Sequence, residues 1–309
     1  MIGKMHIPQV SKNKIRRGQL IFYVCMISLP LLQFLIFYIG INFNSILLAF
    51  KQYDVYTNTF SFAGFANFLK VFQDLKQTLY LQSALKNSTI VYLLGLFIST
   101  PLTLLFSFYL FKKMPFSGVM KIVLFLPTML SSLIVILIFK YFMDRALPGI
   151  LEALFKVEVI GFLSTAKTAR ITLFFFAVWS SFGSSILLYL GAMNSTSESL
   201  YEAAKMDGAG LFSEFWHITL PQVFPTLSVY LITGIGGFFT NQMGLFSFYG
   251  TEAEYELYTL GYFLYRGIKT ASISDYPYYS AMGLLMTVIA IPVTYGVRYL
   301  LNRFGPSDK

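Results

Sequence analysis

Long uncharged, apolar intervals alternate with short charged segments along the whole chain. Six such intervals stand out, at residues 18–50, 87–111, 122–139, 171–197, 215–251 and 276–297. A helix needs roughly 20 apolar residues to cross the hydrocarbon core of a bilayer, and it satisfies its own backbone hydrogen bonds there. The pattern therefore predicts an all-α integral membrane fold with six transmembrane helices, at about 20–42, 88–111, 119–142, 170–193, 222–248 and 279–301.

One further uncharged interval, residues 55–69, reads VYTNTFSFAGFANFL and is too short and too polar to span a membrane. It is interpreted as part of an external loop. Of the 309 residues, 56% are hydrophobic and 12% charged, and the mean hydropathy is +0.65, which excludes an ordinary soluble globular protein. Residues 1–17 are interpreted as a basic cytoplasmic lead and residues 18–309 as a single membrane domain.

The net charge of the chain, formally +9 at pH 7, follows the predicted topology. Basic residues gather before the first span, in the link after the second span and in the C-terminal tail; they are Lys4, Lys12, Lys14, Arg16, Arg17, Lys112, Lys113, Lys121, Arg298, Arg303 and Lys309. Because loops that stay in the cytoplasm carry an excess of lysine and arginine, both termini and the links 112–121 and 198–214 are expected there. The loops 42–86, 143–169 and 252–275 are expected outside, and the basic excess requires no nucleic-acid partner.

Several function classes lack their chemistry in this sequence. The phosphate-binding pattern G-x-x-x-x-G-K-[ST] is absent, so the chain is not expected to bind ATP by that route or to be an enzyme. His6 and His217 have no Cys or His companions at metal-ligand spacing, and no metal or other cofactor is expected. The six apolar intervals hold no Asp, Glu, Lys or Arg, whereas ion-driven carriers usually place acids there. A channel or secondary carrier, a membrane-embedded enzyme and a scaffold for a cytoplasmic partner are the competing hypotheses.

Two polar features each allow two interpretations. Asn241 and Gln242, which follow Thr240 in the fifth span, are amides that demand partners when buried. They either form hydrogen bonds between helices or line a path for a hydroxyl-rich solute. The external segment 251–279 is rich in tyrosine. It is either an aromatic belt at the membrane interface or a surface for a docking protein or a sugar ring, on which aromatic side chains stack.

The link between the fourth and fifth spans, residues 194–221, departs from the charge pattern. Its segment 198–214 carries four acidic residues and one basic residue, Lys205. An anionic inner leaflet attracts basic segments rather than acidic ones. Docking of a partner protein is therefore favoured over an amphipathic connector that lies on the membrane.

Local patterns in the link predict a helix–turn–helix. Two capping-box patterns, Ser195-x-x-Glu198 and Ser199-x-x-Glu202, offer a helix start. The helix that follows places Leu200, Ala203 and Ala204 on one small apolar face. Gly208 and Gly210 are expected to break this helix. A second helix over residues 211–219 carries a stripe of Phe212, Phe215, Trp216 and Thr219 that would anchor the link to its own bundle, and Pro221 and Pro225 would mark its end.

The link also resembles a known motif. Glu202-Ala203-Ala204-x-x-x-Gly208, with Asp207 before the glycine and Ile218-x-Leu220-Pro221 after it, resembles the EAA motif of permease subunits of binding-protein-dependent ABC importers. The resemblance covers nearly the whole chain. Three segments are most similar to the carbohydrate-importer branch of this family. They resemble the first permease of maltose-type and glycerol-phosphate-type systems and permeases for complex saccharides. The segments are FLPTMLSSLIVILIFKYFM, LYEAAKMDGAGLFSEFWHITLPQVFPTL and YTLGYFLYRGI.

The resemblance implies a type I ABC importer permease of MetI-like fold in the bacterial plasma membrane, forming half of a translocation pathway. Its coupling helix would contact a cytoplasmic ATPase subunit. The residues implied in coupling are Glu202, Ala203, Ala204, Asp207, Gly208, Ile218, Leu220 and Pro221, of which the last three, with Phe215, would hold the link against the spans. ATP and Mg²⁺ would bind to two separate ATPase subunits.

The other implied partners are a second homologous permease subunit, an extracellular solute-binding protein and membrane lipid. The implied substrate is a carbohydrate, more narrowly an oligosaccharide, with a glycerol-phosphate-like or amphiphilic solute as the alternative. Thr240, Asn241 and Gln242 lie about where maltose-type permeases contact sugar, and they are the candidate substrate-binding residues.

Overall fold

The computed structural model describes residues 12–306, with side chains from Gly18 onward, and this part of the chain is almost entirely helical. The α-helices are α1 (Lys12–Gln33), α2 (Asn42–Ala49), α3 (Ala66–Gln77), α4 (Leu79–Leu94), α5 (Thr100–Phe111), α6 (Ser117–Met129), α7 (Ser132–Tyr141), α8 (Leu147–Phe155), α9 (Ala166–Asn194), α10 (Glu198–Met206), α11 (Leu211–Glu214), α12 (Leu220–Thr240), α13 (Leu245–Tyr249), α14 (Leu260–Thr270) and α15 (Tyr276–Phe304). Phe34–Ile41, Gly95–Ser99, Phe142–Ala146 and Phe215–Thr219 are π-helical, and Tyr255–Leu257 and Ile273–Asp275 are 3₁₀ turns.

Five helical stretches are long and apolar enough to cross a membrane. They are Gly18–Ala49, Leu79–Phe111, Ala166–Asn194, Leu211–Tyr249 and Ile273–Phe304. Each contains one of the predicted spans. Within the bundle α9 packs against α5, α6 and α12, and α12 packs against α15.

The third predicted span, residues 119–142, is not one continuous helix, so the prediction of a single helix there was wrong. The stretch Ser117–Met129 meets Ser132–Phe155 at an angle of 107°. Leu130 and Ser131 adopt extended backbone, with ψ of 154° and 137°, which interrupts the helical hydrogen-bond ladder. After the bend α7 packs against α13, where the Lys140 ammonium donates to the carbonyl oxygen of Phe248 at 2.8 Å. The described chain has six spanning elements only if this bent pair counts as one.

Three of the π-helical stretches lie directly before prolines, namely Pro101, Pro148 and Pro221. In each case the residue before the proline donates its N–H five residues back, as Leu220 does to the carbonyl of Phe215. A proline lacks an N–H and its ring clashes with the carbonyl four residues earlier, and the wider turn relieves both problems. The helix therefore continues through Pro221 and Pro225, and the prediction that these prolines end it was wrong.

Residues 51–77 lie within the predicted external loop 42–86 and form a hairpin and a helix. β1 (Lys51–Asp54) pairs antiparallel with β2 (Thr59–Phe62), in the register Lys51 with Phe62 to Asp54 with Thr59. α3 follows and buries Phe68 against Ala49 and Ala281 at the start of α15. This small sheet is the exception to the predicted all-α fold.

The bundle has two ends, called here the link face and the hairpin face. The link face carries the 112–116 turn and residues 195–214, and the hairpin face carries β1, β2, α3 and α14. The C-terminal end of α15 lies at the link face, because a Cβ on Gly305 would lie 2.1 Å from the Phe224 ring near the start of α12. Every side chain in residues 18–47 is exposed in the isolated chain, and α2 at the end of this first helix packs on α15.

Candidate functional site

α10 begins the link, and it starts between the two predicted capping serines. Its N-cap is Ser197, whose side chain makes no capping hydrogen bond. Ser195 instead donates its hydroxyl to the carbonyl oxygen of Ala192 in α9, at 2.7 Å. Ser199 shares a hydrogen bond of 2.8 Å with Ser197. A helix does start in the predicted region, but neither capping box forms, since both predicted serines are engaged elsewhere.

α10 has one buried face and one free face. Tyr201 is buried, and its hydroxyl oxygen lies 3.4 Å from Oγ1 of Thr219 in the second half of the link. On the other side Glu202 and Ala203 are exposed and Ala204 is half-buried. The small face is therefore open to a partner, while the tyrosine holds the helix to its own bundle.

Gly208 ends α10 in a left-handed conformation. Its φ is +76°, and a Cβ there would meet nothing within 4 Å. The N–H of Ala209 donates to the carbonyl of Ala204 at 2.9 Å, and the N–H of Gly208 donates to the carbonyl of Lys205 at 3.2 Å. These two bonds form a Schellman motif, which requires a residue that tolerates positive φ. The glycine is therefore needed for its backbone conformation, not because its surroundings are crowded. This agrees with the predicted helix break at this position.

Lys112 ties the link to the end of α5. Its ammonium forms an ion pair with the buried carboxylate of Glu214 and lies 4.5 Å from the centre of the Tyr201 ring. The rings of Phe108 and Phe111 lie 5.7 and 5.6 Å from the same ammonium. Burial, with a smaller contribution from the charge of Lys205, lowers the pKa of the Lys112 amine. The acid and the aromatic rings together hold this cation against both halves of the link.

The second half of the link is anchored by fewer residues than predicted. Phe215 and Thr219 are buried, and the Phe215 ring lies 5.2 Å from that of Phe108. Ile218, Leu220 and Pro221 are half-buried. Phe212 and Trp216, in contrast, are 77% and 49% exposed, so half of the predicted stripe is wrong. The π-helical turn at 215–219 widens the helix, and side chains at ordinary helical spacing no longer share one face.

The exposed aromatic residues belong to an apolar surface on the link. Its members are Met206, Leu211, Phe212 and Trp216, all of them exposed. The rings of Phe212 and Trp216 contact each other edge to face, with centroids 6.1 Å apart. Exposed apolar patches with polar surroundings are typical of interaction sites. This patch lies beside the Gly208 turn and enlarges the surface that the link offers.

Thr240, Asn241 and Gln242 lie where α12 ends. Thr240 donates its hydroxyl to the carbonyl of Gly236 at 3.0 Å. The Asn241 carbonyl oxygen Oδ1 accepts from the N–H of Met243 at 2.8 Å and so closes a local turn. The asparagine amide is therefore bonded within its own turn, not to another helix as one interpretation proposed.

A cavity of about 190 Å³ opens among α4, α9 and α12, and Asn241 is the one of the three candidates that lines it. Its polar and aromatic lining consists of Ser88, Tyr92, Thr100, Ser181, Tyr230, Phe238, Asn241 and Thr259. The rings of Tyr92 and Phe238 meet edge to face with centroids 5.9 Å apart. Sequence reasoning missed these aromatic residues, although a tyrosine inside an apolar span was a usable signal, because its hydroxyl seeks a partner.

Together the fold and the link define a class of protein. A bundle of long apolar helices that exposes a small-residue helix and an apolar patch at one end has the architecture of a membrane protein. This chain belongs to the family of binding-protein-dependent transport system inner membrane components, whose family model matches residues 92–306. That match includes the link and confirms the resemblance to ABC importer permeases.

Several similar proteins align with nearly the whole chain. Protein LplB of Bacillus subtilis (strain 168) is 29% identical over 291 residues, which cover 91% of this chain and 89% of LplB. The polygalacturonan/rhamnogalacturonan transport system permease protein YteP of the same organism is 27% identical over 293 residues, covering 92% and 88%. A solved bacterial ABC transporter involved in the import of the acidic polysaccharide alginate superposes with a TM-score of 0.77 at 22% identity, covering 94% of this chain and 98% of that chain. The superposition establishes a shared fold.

Proposed function

We propose that this chain is the permease subunit of an ATP-driven importer for a carbohydrate, more narrowly an oligosaccharide. The observation that carries the proposal is the link, whose helix is fixed to the bundle on one face and open on the other. Family membership supports the importer class, and the names of the relative YteP and of the alginate importer support a saccharide as cargo. A glycerol-phosphate-like or amphiphilic solute is the alternative cargo.

The link acts as a coupling helix in this proposal. Glu202, Ala203, Ala204, Asp207 and Gly208 contact a cleft of a separate ATPase subunit, since small side chains permit close approach. ATP and Mg²⁺ bind to that subunit and its copy, and this chain hydrolyses nothing itself. Closure of the ATPases moves the link. The buried contacts of the link with α5 and α9 carry that movement into the spans.

The proposed topology places the link face in the cytoplasm. Lys112, Lys113, Arg298 and Arg303 all lie at or near this face, in agreement with the preference of basic residues for the cytoplasmic side. The described chain starts and ends on this side if α1 crosses the membrane once. With the bent α6–α7 pair counted as one span, the chain has six spans in a bacterial plasma membrane, and the hairpin face meets an extracellular solute-binding protein.

A second, homologous permease subunit completes the pathway in this proposal. Every side chain in residues 18–47 is exposed, and a helix this apolar requires either lipid or another helix beside it. The cavity of about 190 Å³ beside Asn241 is small for an oligosaccharide. It is therefore proposed as half of a path, with Thr240 and Gln242 near its outer end.

Uptake by a reconstituted complex tests the proposal. This chain is purified with the subunits that accompany it, placed in proteoliposomes with ATP at the link face, and offered a neutral trisaccharide, trigalacturonate or glycerol 3-phosphate together with the solute-binding protein. We expect uptake of a trisaccharide with ATP and none with ADP. Transport by this chain alone without ATP would instead establish a secondary carrier, and uptake of glycerol 3-phosphate alone would overturn the saccharide assignment.

A further inference from the structure

Among the seven tyrosines of the segment 251–279, two pairs have clearly different surroundings. Tyr258 and Tyr262 are 3% and 0% exposed and belong to the main hydrophobic core, so they do not form an interfacial belt. Tyr278 and Tyr279 are half-buried and line an open cleft on the hairpin face. The belt interpretation therefore fails for the first pair, and the cleft lined by the second pair needs its own account.

This hairpin cleft lies between β1 and α3 on one side and residues 274–279 on the other. Its volume is about 590 Å³, which lies within the range of roughly 300–1,000 Å³ typical of small-molecule sites. The residues used in the argument are Gln52, Lys70, Asp74, Tyr80, Tyr278 and Tyr279, all of which line it. Ring faces, hydroxyls, amides, two carboxylates and an ammonium thus share one concave surface.

The walls of the hairpin cleft are held in place by other contacts. A Cβ on Gly267 would lie 2.2 Å from the Tyr279 ring, so that ring rests directly on the backbone of α14. Asn67 donates its amide to the carbonyls of Ala49 and Lys51, at 2.9 and 2.8 Å, which fixes α3 to the hairpin. The Lys70 ammonium lies 5.4 Å from the centre of the Tyr278 ring. A pre-formed site of this kind loses little freedom when it binds.

The groups that remain open suit a sugar. Tyr80 is 52% exposed and offers a ring on which the apolar face of a sugar can stack. Gln52 and Lys70 are exposed and Asp74 is half-buried, and they supply both donors and acceptors for hydroxyl groups. Lys70 shares the cleft with two carboxylates, those of Asp74 and Asp275, so the cleft has no excess of positive charge to select an acidic ring.

The hairpin cleft and the internal cavity share an element. Tyr80 of the cleft and Ser88 and Tyr92 of the cavity all belong to α4. At 1.5 Å per residue, Tyr80 and Tyr92 lie about 18 Å apart along the helix axis. The start of α14 joins the two sites as well, since its N-cap Thr259 lines the cavity and Phe263 in its first turn lines the cleft. Two elements therefore run from one site to the other.

We propose that the hairpin cleft is a saccharide-binding subsite on the outer face of the permease, which holds sugar rings of the substrate before they reach the cavity beside Asn241. The proposal rests on the proposed function as a saccharide importer. Tyr80 stacks on a ring, and Gln52, Lys70 and Asp74 bind its hydroxyls.

Photo-crosslinking to the purified complex tests the subsite. The probes are diazirine-labelled forms of the neutral trisaccharide and of trigalacturonate, used without the solute-binding protein, and labelled peptides are mapped by mass spectrometry. We expect labelling within residues 66–80, reduced about tenfold in Tyr80→Ala because a stacking contact is lost. Tyr56→Ala is the matched control, since Tyr56 is 99% exposed at the tip of the hairpin and does not line the cleft.

Each other outcome contradicts a definite statement. Labelling confined to cavity peptides, or labelling that Tyr80→Ala and Tyr56→Ala reduce equally, would overturn the subsite while leaving the importer intact. If Tyr80→Ala weakens binding of the solute-binding protein but not labelling by the saccharide, the cleft is a protein-docking surface and the proposal is wrong. Uptake of neither trisaccharide by the unmodified complex would contradict the proposed function itself, and the subsite with it.

Discussion

Lys112 and Glu214 form an ion pair that joins the end of α5 to the second half of the link. The Glu214 side chain is 11% exposed and that of Lys112 21%, so the pair is largely withdrawn from water. Removing one partner from a buried pair leaves an uncompensated charge, which costs about 3–5 kcal/mol. The pair is therefore expected to decide how firmly the link follows the spans.

Lys112→Ala is expected to lower the thermal unfolding temperature of the purified complex and to reduce ATP-driven uptake. Adding Glu214→Ala to it should restore part of the stability, because the orphaned carboxylate is then gone, and a double-mutant cycle measures the coupling. Lys121→Ala, at an exposed position of α6, is the control. Equal and additive losses from the two single variants would show that the pair transmits nothing.

Gly208 and Gly210 offer a matched test of the link turn. Gly208 has a φ of +76° and Gly210 a φ of −76°, and a Cβ at either meets nothing within 4 Å. A residue with a side chain at position 208 would have to adopt this left-handed conformation at a cost of about 1–2 kcal/mol. The substitution would therefore distort the turn that follows α10. We expect Gly208→Val to abolish uptake and leave membrane insertion intact, whereas Gly210→Val transports normally. Normal uptake by Gly208→Val would contradict the coupling role of the link.

Gly261 holds the start of α14 against the end of α12. A Cβ at Gly261 would lie 2.4 Å from the carbonyl oxygen of Thr240, a backbone atom that has no rotamer to escape into. Overpacking of this kind costs about 1–3 kcal/mol, so Gly261→Ala should lower the unfolding temperature by several degrees. Gly283→Ala in α15 meets nothing within 4 Å and should be neutral or slightly stabilising. Similar unfolding temperatures for the two variants would show that the two helices are not in tight contact.

The sequence pattern located the five long spans because a continuous apolar stretch of this length has few other solutions in a membrane. The prediction failed where the backbone conformation of a few residues decides the structure. Leu130 and Ser131 read as ordinary span residues, and the 107° bend at their position depends on tertiary packing of α7. Pro221 was read as a helix end because the preceding π-helical turn, which accommodates it, has no sequence signature.

The link was predicted more fully than the cavity. Its motif fixes residue types at fixed spacing, so the exposed Ala203 and the left-handed Gly208 could be expected. The cavity is assembled from α4, α9 and α12, which are distant in sequence. No spacing rule connects Tyr92 with Phe238 across such distances. Asn241 was found because an amide stands out in an apolar interval and because maltose-type permeases contact sugar at about this position.

Asn241 has two roles that substitution can separate. Its Oδ1 accepts from the N–H of Met243, and its side chain also lines the cavity. Asn241→Asp keeps the acceptor but removes the amide donor, whereas Asn241→Ala removes both and gives up about 1 kcal/mol of local hydrogen bonding. We expect both variants to reduce uptake at least about tenfold, and only Asn241→Ala to lower the unfolding temperature as well. Gln242→Ala, whose side chain does not line the cavity, should transport within about twofold of the unmodified complex. Uptake and unfolding temperature are measured on all three variants. Wild-type uptake by Asn241→Asp would show that Asn241 forms the turn and has no role in substrate binding.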